Sequence, residues 1–224
     1  VKHKDTSPEQ PGIPESYYPV FLNLNKKKAV VCGGGNVAER KVAALLKTGA
    51  KITVISPQIT ARLEREKRKG TIKHLKRHYR KGDLNAAFLV IGATDSFEIN
   101  RRIARDAPYL VNIVDTPEIC NFIVPSVIKR GHLIIAISTG GISPALSRSI
   151  RLEYEKDYSA EFAKYLKLLK TIRQKAKIHV PDKKRRRELL KEIASKDMIM
   201  ILREQGYKEA EKVMNRLFTK ARDM

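Results

Sequence analysis

The hexapeptide Gly33-Gly34-Gly35-Asn36-Val37-Ala38 is the first place where residue type and spacing together specify a chemistry. It fits G-x-G-x-x-G/A, a loop that holds a dinucleotide diphosphate between a strand and a helix. Gly33 permits the tight turn, and Gly35 lets backbone amides approach the diphosphate with no side chain between. Ala38 is small enough for the helix to pack closely on the strand. The helix N-terminus adds free N–H groups and partial positive charge, both suited to an anion. An ordinary glycine turn would require neither flanking element, yet both are present. Lys28–Cys32 is a short apolar run, and Val37, Val42, Leu45 and Leu46 form a helical stripe stopped by Gly49. An acid is expected at the end of the second strand, to hold the adenosine ribose. Ser56 stands there instead, followed by Pro57 and Gln58, so these residues leave NAD and NADP both open. Lys51, Arg62 and Arg65 lie nearby in no phosphate-reading pattern.

Two carboxylates fall at the carboxyl ends of apolar runs, where doubly wound sheets bind their ligands: Asp95 in Ala93-Thr94-Asp95, and Asp115 in Asn112-Ile113-Val114-Asp115. An acid beside a redox cofactor can take the proton that accompanies a hydride. Asp95 opens a helical stretch, so capping is the stronger reading for it. Asp115 precedes Thr116-Pro117, where a turn role and a catalytic role weigh equally. His74 and His78 have the spacing of two ligands on a helix, but their segment reads as a strand. Four residues there span roughly 13 Å, too far to share an ion. No metal site is expected.

The elements that must position these groups alternate. Strands are expected at Lys28–Cys32, Lys51–Ile55, Thr71–Tyr79, Phe88–Ile91 and Leu110–Val114, and helices at Asn36–Leu46, Ile59–Lys69 and Phe97–Ala107. That order predicts a parallel sheet covered on both faces. Phe122–Ile128 and Leu133–Ser138 then form a hairpin-like pair, and everything from Ser143 onward reads as helix, punctuated by Pro181 and Gly206. The fold class is therefore α/β: a Rossmann-like parallel-sheet domain, a β-rich connector and an all-helical C-terminal domain. The expected bounds are a disordered lead-in over 1–16, the dinucleotide domain over 17–115, the connector over 116–150 and the helices over 151–224.

The net charge of +22 asks for an anionic partner or a solvated explanation, and about half of the excess lies in the last 63 residues. Those cations are interleaved with Leu, Ile and Glu at helical spacing, and the only dense run is Lys183–Arg187. A solvated helix face is the preferred reading. With 6% aromatic residues and no aromatic-rich basic strand, a nucleic-acid partner is disfavoured. No apolar run is long enough to span a membrane. Cys32 and Cys120 lack metal or redox spacing, which suits a reduced, cytoplasmic setting, and the first residues lack the apolar core of a signal peptide. A nucleotide-sensing regulatory module would explain the glycine loop equally well.

Several stretches in order resemble the precorrin-2 dehydrogenase family, which includes the N-terminal part of the sirohaem synthases. They are Tyr18–Leu24, Val31–Lys41, Gly92–Asp95, Asn112–Asp115, Phe122-Ile-Val-Pro-Ser126 and Ser138-Thr-Gly-Gly-Ile-Ser-Pro-Ala-Leu146. The resemblance implies a stand-alone, NAD-dependent homodimer, with the β-rich connector as its dimerisation connector, that oxidises precorrin-2, a reduced tetrapyrrole bearing eight carboxylates, to sirohydrochlorin. It leaves ferrous iron insertion open and makes Asp115 the leading candidate for the base. Cofactor contacts carry over to Asn36, Val37, Pro57 and Gln58, joined by Gly33, Gly35, Ser56 and Thr94. Asn121, Ser126, Thr139, Ser143 and Arg148 fall on the substrate side, and Arg148 and Arg151 are suited to gripping carboxylates.

Overall fold

The structure is a computed structural model that describes residues 17–223, so the expected lead-in over 1–16 lies outside the described residues. The chain divides into two compact units, the first reaching Val124 and the second beginning at Pro125.

In the first unit, β1 (Lys28–Cys32), β2 (Lys51–Ile55), β3 (Ile72–Leu75), β4 (Leu89–Gly92) and β5 (Leu110–Ile113) form one parallel sheet in the order β3-β2-β1-β4-β5. Both faces are covered, which is why the central strands read as unbroken apolar runs. Neighbouring residues point to opposite faces. Val31, Val54 and Ile91 meet Ala38, Val42 and Leu45 of α1 (Asn36–Leu46) and Leu63 of α2 (Ala61–Arg68). On the other face Val30, Ile55, Val90 and Ile113 meet Leu84, in the turn before β4, and Ile103 of α3 (Phe97–Asp106).

Three of the boundaries that differ from expectation have a clear local reason. Helix α2 starts at Ala61 because Thr60 caps it, accepting from the Leu63 N–H at 3.3 Å. The alternation through Tyr79 predicted a longer β3. The strand stops at Leu75 because the Arg77 N–H turns back to the Leu75 carbonyl at 2.8 Å, and Arg77 grips Asp83 through two 2.7 Å contacts. The apolar run from Phe122 is split: Phe122 packs on the first unit's core, and pairing begins only at Ser126. Pro125 has no N–H to give a ladder.

The second unit opens with an antiparallel hairpin, β6 (Ser126–Arg130) and β7 (Leu133–Ile137), whose two-residue turn places Gly131 at φ +62°. Five helices follow: α4 (Pro144–Asp157), α5 (Glu161–His179), α6 (Lys183–Glu192), α7 (Lys196–Glu204) and α8 (Tyr207–Asp223). Phe162, Tyr165, Ile172, Leu189, Leu202 and Met214 make their core, and the Tyr165 hydroxyl donates to the Ile193 carbonyl at 2.5 Å. Asp182 and Ser195 cap α6 and α7. Lys183, Lys184 and Arg187 stay exposed, as a solvated helix face requires. The architecture is the expected one: a Rossmann-like parallel sheet, a small antiparallel pair and a helical C-terminal region. Among the described residues no helix is long and apolar enough to cross a membrane.

The dinucleotide cleft and the Asp115 turn

The chain leaves β1 and β4, neighbours in the sheet, toward helices on opposite faces: α1 belongs to one core and α3 to the other. A crevice opens at such a switch point, beyond the carboxyl ends of the strands. Here it is a cleft of about 780 Å³, lined by the Gly33–Ala38 loop, Ser56–Gln58 and Ala93–Ser96. Gly33, Gly35, Asn36, Val37, Ser56, Pro57, Gln58 and Thr94 are all brought to it.

The loop tests whether a diphosphate fits. Gly33 adopts φ +123°, and a Cβ there would lie 2.1 Å from the Ala93 carbonyl oxygen. Gly34 is the middle residue of the motif and drew no role from the sequence. A Cβ on it would stand 1.9 Å from the Gln58 carbonyl oxygen and 2.7 Å from Ser56 Oγ. Gly35 differs: a Cβ there meets nothing within 4 Å. Its hydrogen faces open space in the cleft wall, the space a ligand group would take. Gly35 is also the N-cap of α1, and no side chain caps that helix. The first-turn N–H groups are therefore free for an anion. Ala38 is wholly buried against the sheet.

On the β4 side, Thr94 is fixed by Asn100, which the sequence reading passed over. The Thr94 hydroxyl donates to Asn100 Oδ1 at 2.8 Å, and Asn100 Nδ2 donates to the Thr94 carbonyl at 2.9 Å. A buried polar residue on the inner face of α3 was the available signal. The expected cap is corrected by one residue: Ser96, accepting from the Ile99 N–H, caps α3, while Asp95 is exposed at the cleft. His74 sits in β3 with Nε2 at 2.9 Å from the Ser56 carbonyl, and His78, beyond β3, lines the cleft with Tyr79. Among the described residues no group of three or more His, Cys, Asp or Glu is placed to hold a metal.

Asp115 lies two residues past Ile113, the β5 residue paired with Gly92 of β4, so it stands on the sheet's carboxyl edge. It does not line the cleft itself. It is exposed and adopts φ +58°, a left-handed conformation that Asp tolerates better than most side chains. The turn that imposes it is tied by Cys120. That thiol accepts from the Ile113 N–H at 3.0 Å and faces the carbonyls of Thr116 and Ile113 at 3.2 and 3.3 Å. Burial pushes the thiol above its ordinary range, more than the Ile113 N–H offsets. Cys120 therefore stays a protonated structural clasp.

Asn121 is occupied structurally. Its Oδ1 accepts from the Val111 N–H at 2.8 Å and its Nδ2 donates to the Tyr109 carbonyl at 2.6 Å, which satisfies the free edge of β5. The remaining expected substrate residues lie in the second unit. Thr139 Oγ1 accepts from the Ser143 N–H at 3.0 Å and donates to the Ser143 carbonyl at 2.9 Å, closing a loop in which Gly140 and Gly141 have φ +65° and +92°. Ser143 caps α4, and buried Ser147 stands 3.1 Å from Thr139 Oγ1. Arg148 is exposed on α4, and Ser126 begins β6.

This fold and cleft define a Rossmann-type dinucleotide-binding protein. A family model, NAD_binding_7 ("Putative NAD(P)-binding"), matches residues 20–126. Siroheme synthases from Thioalkalivibrio sulfidiphilus and Azotobacter vinelandii are 40% identical over 174 residues and 37% identical over 180. Those alignments cover 76% and 79% of this chain but 36% and 39% of the relatives. The siroheme synthase of Methylobacillus flagellatus is 43% identical over 140 residues, 61% of this chain and 30% of its own. The chain thus spans about a third of the length of these curated relatives. A solved structure, "SirC, precorrin-2 dehydrogenase", superposes with a TM-score of 0.73 at 26% identity, covering 89% of this chain and all of that one. In sequence and in fold the chain is similar to the precorrin-2 dehydrogenase and siroheme synthase family that its motifs resemble, and NAD(P) is the cofactor for which its first unit is built.

Proposed function

We propose that this chain oxidises precorrin-2 to sirohydrochlorin, with NAD as the hydride acceptor, on the route to sirohaem. The observation that carries the reading is the dinucleotide cleft at the switch point with Asp115 on the same carboxyl edge, at the end of the adjoining strand β5. It is supported by the alignment of the chain with the whole of the precorrin-2 dehydrogenase structure.

The substrate loses two hydrogens, one with its electron pair and one as a proton. A bound NAD would supply the hydride acceptor, its nicotinamide ring, in the cleft. The Gly33–Ala38 loop and the uncapped start of α1 would hold its diphosphate, while Ser56–Gln58 and Thr94 wall the cleft on either side. Ser56, and not an acid, stands at the end of β2 beside the place where an adenosine ribose would lie. The Asp115 carboxylate takes the proton and releases it to water, and the Cys120-clasped turn holds it out from the sheet edge for that purpose. Arg148 binds substrate carboxylates. Thr139 and Ser143 shape the loop before it, and Ser126 contributes at the start of β6. Asn121 serves by fixing the end of β5.

The chain acts as a homodimer in a reducing cytoplasm. A two-stranded sheet is marginal alone, and β6 and β7 leave Val127 and Ile134 43% and 39% exposed, apolar surface that a second copy covers. Ferrous iron is the candidate second substrate, for insertion into the product. Anaerobic incubation of the protein with precorrin-2 and NAD is expected to yield sirohydrochlorin and NADH in equal amounts, and a parallel sample with ferrous iron reads metallation separately. Absence of NADH formation by a folded, NAD-binding preparation would refute the oxidation.

A further inference from the structure

Lys41 sits on α1 in a position that the cofactor reading leaves unused. On a helix it lies about 160° round from Glu39, and the outward direction of Glu39 is known. Glu39 accepts from the Thr60 hydroxyl at 2.6 Å and pairs with Arg62 at 3.5 Å, so that flank of α1 faces α2 and the β2 side of the sheet. Lys41 occupies the opposite flank, beside the buried Ala38 and Leu45 stripe, and so faces the β4–β5 side. Helical side chains lean toward the N-terminus, which here carries the ammonium toward the carboxyl edge of the sheet.

What it meets there is an incomplete electrostatic environment. Lys41 is half-buried, yet among the described residues it has no ion pair and no hydrogen-bond partner. Burial is the main cause that lowers its proton affinity, Arg40 next to it adds to the fall, and the acidic groups on its side that act the other way are Cys120 and Asp115. Cys120 is a protonated clasp, and Asp115 is not within 4 Å. A partly desolvated ammonium without an anion is costly unless a ligand supplies one. The cofactor diphosphate belongs to the glycine loop, one to two turns closer to the helix start. The remaining anion for that flank is the substrate.

We propose that Lys41 binds a carboxylate of the tetrapyrrole and so holds the macrocycle edge over Asp115. This rests on the functional reading above and adds a substrate contact from the cofactor-binding domain itself. Sirohydrochlorin, the product, keeps the carboxylates and serves as the probe. Its dissociation constant is measured by absorbance titration for the unaltered chain, Lys41→Met and Lys41→Arg, alongside that of NAD.

Lys41→Met is expected to bind sirohydrochlorin about tenfold more weakly, the order lost with one charge-assisted contact. Lys41→Arg recovers most of that affinity, and NAD affinity stays level in both. In turnover the Lys41→Met change appears in KM rather than kcat. Equal sirohydrochlorin affinity for Lys41→Met and the unaltered chain overturns the assignment while leaving the oxidation standing. A Lys41→Met loss confined to NAD overturns it in favour of a cofactor contact. An unaltered chain that binds NAD but no sirohydrochlorin overturns the functional reading beneath it.

Discussion

Substituting Gly34 and Gly35 separately by alanine distinguishes packing from ligand approach within one loop. The Gly34 methyl would be forced to 1.9 Å from the Gln58 carbonyl oxygen and 2.7 Å from Ser56 Oγ. The first obstacle is backbone, which cannot rotate away. Overpacking of this kind costs about 1–3 kcal/mol, and the backbone clash puts Gly34→Ala at the upper end. For a chain of this length about 2–3 kcal/mol lowers the melting temperature by about 4–12 °C. The Gly35 methyl meets no atom within 4 Å. Its only cost in the free protein is the poorer N-cap, about 1 kcal/mol or less. That methyl would occupy the approach of the diphosphate, so Gly35→Ala is expected to weaken NAD at least tenfold, about 1.4 kcal/mol. Thermal melts without ligand and calorimetric titration with NAD read the two effects independently. A Gly35→Ala variant that binds NAD normally would refute the cradle, and a Gly34→Ala variant of unaltered stability would refute the packing argument.

Asp115→Asn is expected to keep NAD affinity and lose turnover by about 10²–10⁴-fold, the usual contribution of a positioned base; stopped-flow NADH absorbance measures it. Cys120→Ala leaves the half-buried Ile113 N–H without its acceptor, an expected cost of about 1–3 kcal/mol, and slows turnover by loosening the Asp115 turn. Cys120→Ser restores part of both, read by urea unfolding and kcat. Burial, followed by the charge of Asp83, pushes the Cys32 thiol up to about 12 from an ordinary value of 9.0. Between those values the unfolded chain has released a proton that the folded chain retains, so stability falls as pH rises through that window. The slope is at most about 1.4 kcal/mol per pH unit. Urea midpoints at pH 8 and 10.5 are expected to differ less in Cys32→Ala, and an identical difference would remove Cys32 as the source.

The strands and helices of the first unit were legible because burial on two faces forces continuous apolar runs and the glycine loop marks the first turn. Lys28–Cys32, Asn36–Leu46 and Lys51–Ile55 are observed as read. What periodicity missed was set by single polar contacts. Arg77 and Asp83 ended β3 within an alternating stretch, Thr60 delayed the start of α2 to Ala61, and Ser96 took the cap of α3 that Asp95 was expected to hold. The residues that line the cleft were readable from motif and strand ends. Asn100 and Cys120 were not, because each fixes a residue six or seven positions away across a turn that periodicity does not reveal, and a polar residue on a helix flank looks like solvated surface until the facing element is known. Gly34 was visible as part of a triple glycine, but its reason lies in Gln58, more than twenty residues on.

A crystal structure with bound NAD tests the account most directly. The diphosphate is expected against Gly35 and the first turn of α1, with the adenosine toward Ser56–Gln58 and the nicotinamide toward the β4–β5 edge that carries Asp115. A glycine loop left empty at saturating NAD, or a nicotinamide lying over β2 and β3, would contradict it.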